Sequence, residues 1–412
     1  HLVEAGVEGG SVLGTGGQDV DRHGRHSCQD NAELPSLPTA APMFAHIPAY
    51  AGDPILSLNE AFQKDPRAEK VNLSIGIYFD EDGRIPVLDS VREAQQRVVA
   101  AGGARPYLPM EGAANFRAAV QELLFAHDTQ GAAALRAGRI ATIQGVGSSG
   151  GLRVGADFLH SHFPDSPIYV STPTWDNHKA VFEGAGLAVR AYPYYDAATG
   201  GLDFAGLLAA LESAPPRAVV LLHACCHNPT GVDLSAAQWT ELAALLARRK
   251  LLPFLDLAYQ GYGDGMQEDL VAVRALLAVD IPFLLTNSFS KNMSLYGERC
   301  GALSVLCESA DAAERVLGQL KFTIRRNYSN PPTHGGQLVA TVLASPDLRA
   351  QWEAEVAQMR GRIQAMRQAL HRGLSERLPG RNFGYFLTQR GMFSYTGLSA
   401  EQAERLKEQH GV

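Results

Sequence analysis

The feature that most narrows the folds open to this chain is a series of short apolar runs. Small polar residues, Gly or Pro close each run, and stretches of helical periodicity separate most of them. The runs are 139–143, 167–171, 187–192, 218–222, 252–255, 283–285 and 302–306. Segments this short and this apolar suit strands buried on both faces. Intervening helices would cover those faces, so the pattern predicts an α/β fold with a mostly parallel, seven-stranded sheet. Sheets of that kind bind ligands beyond the carboxyl ends of their strands. The residues that follow each run are therefore the first candidates for chemistry.

The flanks read less regularly. Residues 1–42 are rich in Gly, His, Ser and acids and end in Pro-Ser-Leu-Pro-Thr-Ala-Ala-Pro. They carry no basic and apolar signal pattern, and His23 and His26 lack neighbours that would complete a metal site. A solvated extension ahead of Met43 is expected. Helices are expected at 55–64, 87–100 and 112–126, a strand at 71–77, and a turn around Asp82-Gly83. Ser235 with Gln238, and Ser399 with Gln402, have the spacing of a capping box. Ser345-Pro346 reads as N-cap and first turn of a long helix whose stripe, Trp352, Val356, Met359, Ile363, Met366, Leu370 and Leu374, predicts one continuous packed face. Residues 382–387 and 392–396 read as strand-like. The expected organisation is an extension (1–42), an arm with part of a small domain (43–85), a large ligand-binding domain (86–344), and a long helix with the rest of the small domain (345–412).

Composition removes some function classes. The 412 residues carry a net charge of −7, so no basic stripe points to nucleic acid. No apolar run is long enough to span a bilayer. The five cysteines include the adjacent pair Cys225-Cys226 but no paired Cys-x-x-Cys pattern, which suits buried thiols in a reducing cytoplasm. His223 and His227 flank that pair and invite a zinc reading, yet no second cluster supplies four ligands, so no metal is expected.

The strand ends carry the candidates. Run 283–285 opens into Thr-Asn-Ser-Phe-Ser-Lys-Asn-Met-Ser-Leu-Tyr-Gly-Glu-Arg-Cys-Gly, residues 286–301. Lys291 there is costly at the end of a buried strand unless it has a partner or forms a Schiff base. Ser288, Ser290 and Arg299 offer two hydroxyls and a guanidinium fork to a phosphate beside it. From the spacing alone, a lysine snorkelling to water reads equally well. Asp256 closes run 252–255, where a carboxylate can meet a protonated ring nitrogen or simply cap a turn. Asn228, in His-Asn-Pro-Thr-Gly, offers an amide to an oxygen anion. Trp175 offers a flat face for stacking or for core packing. Gly145-Val146-Gly147-Ser148-Ser149-Gly150 spells the dinucleotide fingerprint, which supports a rival reading as an NAD-dependent oxidoreductase. The next run, however, ends in Ser171-Thr172-Pro173 without the acid that reading needs. The same loop can present N–H groups and a helix dipole to any phosphate.

Taken in order, the motifs Asn-Leu-Ser-Ile-Gly-Ile-Tyr, Tyr-Leu-Pro-Met-Glu-Gly, Pro-Thr-Trp-Asp-Asn-His, Cys-Cys-His-Asn-Pro-Thr-Gly, Asp-Leu-Ala-Tyr-Gln-Gly, Ser-Phe-Ser-Lys, Tyr-Gly-Glu-Arg and Arg-Arg-Asn-Tyr-Ser-Asn-Pro-Pro resemble the class I pyridoxal-phosphate aminotransferases, aspartate/aromatic subgroup. The likeness runs from about Met43 to Val412. It implies a fold type I enzyme, with a large cofactor-binding domain and a smaller α+β domain from both chain ends. It also implies amino-group transfer to a 2-oxo acid such as 2-oxoglutarate in a cytoplasmic homodimer. Lys291 would bind the cofactor covalently and move the proton. Asp256 would pair with the ring nitrogen, backed by His178 and His223. Asn228 and Tyr259 would bond the ring oxygen, and Trp175 would stack on the ring. Ser148, Ser149, Ser288 and Arg299 would hold the phosphate, joined by Tyr107 from the neighbouring subunit. Gly76, Trp175 and Asn228 would border the substrate, and Arg325 would enter from the partner chain to meet a side-chain carboxylate. Apolar Ile77, Phe79 and Ile85, at positions where aspartate-preferring members are smaller or polar, point to aromatic substrates. Members of the family continue past Gly-Val with a strand and a Ser-Gly-Arg segment whose arginine grips the α-carboxylate. The expectation is therefore a C-terminally truncated, catalytically impaired chain.

Overall fold

The computed structural model describes residues 43–412 apart from Ala51, Asp53 and Ile75. The expected extension over 1–42, with His23 and His26, lies outside the described residues. The chain divides into two compact units, His1–Asp53 and Pro54–Val412. In the first, Ile47 N–H donates to Phe44 O at 3.1 Å and closes a turn.

The second unit is built on the sheet that the apolar runs foretell. Its strands are β1 (Ile140–Val146), β2 (Ile168–Thr172), β3 (Val189–Pro193), β6 (Val219–His223), β7 (Leu252–Leu257), β8 (Phe283–Ser288) and β9 (Cys300–Leu306), with a small ribbon β4 (Tyr195–Asp196) and β5 (Gly201–Leu202) beside them. The order is β1-β9-β8-β7-β6-β2-β3. Strands β3, β2, β6, β7 and β8 pair in parallel, while β9 runs antiparallel to β8 and β1. Helices α1 (Pro54–Lys64), α2 (Asp89–Ala101), α3 (Ala114–Phe125) and α4 (Thr129–Arg136) precede the sheet. Helices α5 (Gly147–His162), α6 (Asp176–Gly184), α7 (Phe204–Glu212), α8 (Ala236–Arg249) and α9 (Val271–Ala278) fall between its strands. Helices α10 (Ala310–Asn327), α11 (His334–Ala344), α12 (Pro346–Arg377), the single turn α13 (Tyr385–Thr388) and α14 (Ala400–Arg405) complete the chain.

Alternation along each strand makes two cores. On β7, Phe254 faces one with Leu152, Phe182 and Leu303, and Leu255 faces the other with Trp239, Leu285 and Leu338. Burial on both faces is why these strands read as unbroken apolar runs. Both capping boxes form, at Ser235–Gln238 and Ser399–Gln402. The four described cysteines are buried and free. Among the described residues no helix is long and apolar enough to cross a membrane.

Five local expectations are corrected. The described residues of 71–77 form no strand: Val71 N–H donates to Gly411 O, and Tyr78 N–H, just beyond, to the Tyr296 hydroxyl. Residues 382–387 contribute to the helical turn α13, and 392–396 are irregular, with the Phe393 carbonyl and the Ser394 hydroxyl taken by a buried guanidinium. Ser345 starts α12 without a side-chain cap and instead accepts from Arg97 Nη1 at 3.5 Å. The α12 stripe is packed only as far as Met359, with Ile363 partly covered, whereas Met366 and Leu370 are 46% and 51% exposed. A 32-residue helix is about 48 Å long, more than the core beneath it.

The packed half of α12 is pinned to the strand-end loops. Trp352 Nε1 donates to Asn292 O at 2.7 Å, and Arg360 Nη1 donates to Gly261 O at 2.8 Å. Trp352→Phe keeps most of the volume and leaves the Asn292 carbonyl without its donor, a loss of about 1–3 kcal/mol. Urea unfolding should show a lower midpoint with an unchanged slope; an unchanged midpoint would mean that the bond adds nothing.

Candidate active site

Register places the site. Across the parallel strands His223 pairs with Asp256, and Asp256 with Thr286, so three polar residues form one row at the carboxyl ends of β6, β7 and β8. The loops beyond that row carry Asn228, Tyr259 and Lys291. Strand β9 returns antiparallel, pairing Gly301 with Ser288 and Cys300 with Val146. It thereby brings Arg299, two residues before Gly301, to the start of α5 and to the end of β8.

Asp256 is the buried charge of the row. Its Oδ2 accepts from His178 Nε2 at 3.1 Å and its Oδ1 from the Thr286 hydroxyl at 3.2 Å. Because the carboxylate only accepts, His178 carries a proton on Nε2, and its Nδ1 lies 2.8 Å from the Thr174 hydroxyl. Burial alone would push the Asp256 carboxyl up, but the hydrogen bond from His178 and nearby positive charge outweigh it and hold the group below its usual range. The rings of His178, His223, His227 and Tyr194 run on from there in a column, with successive centroids 5.0, 4.3 and 3.9 Å apart. Burial, helped by His178 and opposed by Asp256, pushes the His223 imidazole down to about 3. Burial also holds His227 neutral, bonded by the Ser171 and Thr230 hydroxyls at 2.9 Å each.

Lys291 Nζ lies 4.6 Å from the centroid of the Tyr259 ring. Burial lowers its pKa, Asp256 resists that, and Arg299 adds to it, so the amine gives up its proton more readily than a surface lysine. Burial and the charge of Asp256 raise the Tyr259 phenol, against a hydrogen bond from the Asn228 side chain. A Cβ on Gly76 would stand 2.9 Å from the Phe393 ring and 3.8 Å from the Tyr259 hydroxyl, so Gly76 borders the same space. Trp175 directly precedes α6 and meets His178 edge-on, centroids 5.2 Å apart.

The third part is an anion cradle. Helix α5 begins at Gly147, whose N–H donates to Arg299 O at 2.9 Å, and Val146 before it gives no side-chain cap, so the N–H groups that follow in the first turn remain open to a ligand. Ser148 and Ser149 lie in that turn. Arg299 passes directly over it: a Cβ on Gly147 would stand 2.6 Å from the guanidinium, which only glycine at φ +66° avoids. Arg299 Nη1 donates to the Ser290 hydroxyl at 3.3 Å and to Tyr296 O at 3.0 Å, and Ser290 N–H donates to Ser288 Oγ at 3.1 Å.

Topology overturns the dinucleotide reading of this loop. That fingerprint belongs to a parallel βαβ unit. Here β1 is an edge strand antiparallel to β9, and β9, β8, β7 and β6 separate it from β2. Two residues lie apart from the row and the cradle: Tyr107, 90% exposed, and Arg325, exposed near the end of α10 and donating to Ser329 Oγ at 2.5 Å. Asp269, near Cys225 and Cys226, accepts from the N–H groups of Gly261, Gly263, Asp264 and Gly265. Thr174, Thr286 and His227 were not legible as site residues, since nothing in their local spacing shows which strand lies beside theirs.

Pyridoxal phosphate requires a lysine amine, an anion at its ring nitrogen, a donor at its phenolic oxygen and an anion cradle. Lys291, Asp256, Asn228 with Tyr259, and the α5 start beneath Arg299 supply all four, so the residues present fit the group. Fold and site thus define a lysine-dependent pyridoxal-phosphate enzyme. Comparison with known proteins agrees. A model of the family "Aminotransferase class I and II" matches residues 68–412. The chain is 57% identical to an aromatic-amino-acid aminotransferase of Escherichia coli over 90% of its length and 93% of the relative's. It is 49% identical to an aspartate aminotransferase of Pseudomonas aeruginosa, covering 90% and 92%. It superposes with TM-score 0.87 on the crystal structure of an aromatic-amino-acid aminotransferase from Burkholderia pseudomallei covalently bound to pyridoxal phosphate, at 50% identity and covering 90% and 92% of the two chains. The chain belongs to the class I and II aminotransferases and is a pyridoxal-phosphate-dependent transaminase.

The depressed His223 makes stability depend on pH. Between the ordinary histidine value near 6.5 and about 3, the unfolded chain binds a proton that the folded chain refuses. Its contribution is therefore complete above about 6.5 and fades as pH falls, by up to ~1.4 kcal/mol per unit. Relative to wild type, His223→Gln should flatten the loss of urea stability between pH 6.5 and 5 by roughly 2 kcal/mol. Identical slopes would show that His223 is protonated in the folded protein.

Proposed function

We propose that this transaminase moves the amino group of aromatic and acidic amino acids to a 2-oxo acid, 2-oxoglutarate foremost, as a cytoplasmic homodimer with shared sites. The observation that carries the reading is the convergence of Lys291, the buried Asp256 row and the Arg299 cradle at one end of the sheet. Both substrate classes are named among the relatives, and the apolar Ile77, Phe79 and Ile85 favour the aromatic one. Residues 86–344 form the cofactor-binding part; 43–85 supply an N-terminal arm and part of the smaller part, which 345–412 continue.

The roles follow from local chemistry. Bound pyridoxal phosphate supplies an electron sink for the substrate carbanion. Lys291, its amine made less basic by burial, is the residue that attaches to the cofactor and then takes and returns the substrate proton at Nζ. Asp256 stays anionic and keeps a ring nitrogen protonated; His178, fixed by Thr174, holds the carboxylate in place. Asn228 and Tyr259 donate to the phenolic oxygen. Trp175 stacks on the ring. Ser148, Ser149, Ser288 and Arg299 hold the phosphate, and Tyr107, exposed in its own chain, completes the neighbour's cradle. Gly76, Trp175 and Asn228 border the substrate, and Arg325 serves the neighbouring site by pairing with a side-chain carboxylate.

Lys291→Ala should lower turnover by orders of magnitude, and borohydride should no longer fix the cofactor to the chain. A trapped adduct on another lysine would reassign the role. Arg325→Asp should reduce kcat/KM for aspartate on the order of 10²-fold, the cost of losing a buried ion-pair partner, while phenylalanine changes little. Mixed with the Lys291→Ala chain, it should regain one competent site per heterodimer. Equal losses for both amino acids would remove Arg325 from side-chain recognition, and no recovery on mixing would remove it from the neighbour's site.

A further inference from the structure

Arg367 is the buried charge that the reaction leaves unused. It sits on α12 beside the exposed Met366, yet it is 7% exposed. The partners of its guanidinium are carbonyls and one hydroxyl. Nε donates to Gly391 O at 3.2 Å, and Nη1 to Phe386 O at 3.5 Å and Ser394 Oγ at 2.7 Å. Nη2 donates to Arg390 O at 3.4 Å, Gly391 O at 2.7 Å and Phe393 O. An arginine buried among dipoles is costly to keep and strongly directional, because its donors form a rigid planar fork. Six hydrogen bonds to five acceptors of one short segment, residues 386–394, converge on that fork, so the side chain sets the path of the segment.

The segment's other side faces the active site. Arg390 N–H donates to Gly231 O at 2.6 Å, and a Cβ on Gly231 would stand 2.7 Å from Phe393 O. Gly391, at φ +73°, lies so close to Cys226 that a Cβ there would stand 2.5 Å from the Cys226 Cβ. Residues 226 and 231 bracket Asn228. Phe393 meets the Tyr259 ring edge-on, centroids 5.6 Å apart and planes at 87°, and its tip touches the space beside Gly76. Phe393 is therefore a wall between Gly76 and Tyr259, and the carbonyl of that same residue is held by Arg367.

We propose that Arg367 is a positioning residue for substrate recognition: by gathering the carbonyls of residues 386–393 it fixes Phe393 against Gly76 and Tyr259 as one wall of the substrate pocket. The inference rests on the reading of Gly76 and Tyr259 as pocket residues. It adds a contact that depends on a guanidinium outside the pocket.

The test is a double-mutant cycle on the full-length holoenzyme with phenylalanine and aspartate as substrates. Phe393→Leu tests the wall, Arg367→Met removes the fork while keeping an apolar stem, and Arg367→Lys restores charge without the fork. Arg367→Met should lower kcat/KM for phenylalanine about 10–100-fold, chiefly through KM, as expected for a displaced contact. Arg367→Lys should recover only part of it. Hydrogen exchange should speed up across 389–395 and remain unchanged in β7 and β8. In a Phe393→Leu background the further effect of Arg367→Met on KM should largely vanish. Additive effects would overturn the role of Arg367 even if the wall is real. No change in KM with Phe393→Leu would instead overturn the pocket reading. If the Met variant does not fold, the Lys variant with its exchange profile decides: wild-type KM and wild-type exchange across 389–395 would overturn the proposal.

Discussion

The Asp256 carboxylate, buried at the end of a central strand, is the constraint on which the rest of the site depends. A charge in that position is tolerated only when hydrogen-bonded and partnered. Its two side-chain donors come from different segments, His178 from α6 and Thr286 from β8, and the Thr174 hydroxyl bonds the other ring nitrogen of His178. Those bonds tie the loop after β2 and the start of α6 to the carboxyl ends of β7 and β8.

The antiparallel return of β9 solves a second problem. A phosphate cradle needs cationic and hydroxyl donors as well as a helix start, and no single βα loop supplies all of them. Pairing Ser288 with Gly301 and Val146 with Cys300 brings the end of β8, the approach to β9 and the start of α5 together. Arg299 adopts φ +52° to pass over Gly147. A backbone in that region is costly for a residue with a side chain and persists where packing over-determines it. Here the carbonyl of Arg299 accepts from Gly147 N–H at 2.9 Å while its guanidinium covers the same residue.

Helix α12 works as a strut between these loops and the segment near the end of the chain. Its packed half holds Asn292, next to Lys291, and Gly261, next to the Tyr259 turn. Past Ile363 the helix leaves the core, and its one buried contact there is electrostatic rather than apolar. Within 392–396 the Phe393 carbonyl is aimed at Arg367, and a carbonyl aimed at a guanidinium is lost to a ladder.

The sequence by itself determined the sheet and the principal chemistry. Strands buried on both faces must be apolar throughout, so each appears as a run in one dimension, and Asp256, Asn228, Lys291 and Arg299 were legible as the polar residues that interrupt or follow such runs. The reading of 283–285 stopped three residues short of β8, because Thr286, Asn287 and Ser288 are polar yet buried in the ladder. Only the tertiary structure decided strand order, and with it the fate of the Gly145–Gly150 loop, which spells a dinucleotide site but opens from an antiparallel edge. It also decided that Arg367, beside an apolar stripe at helical spacing, turns inward, and that 71–77 and 392–396 are not strands. Local spacing records which face of an element is apolar; which backbone groups are left to accept a hydrogen bond depends on neighbours far away in sequence, and those exist only once the chain has folded.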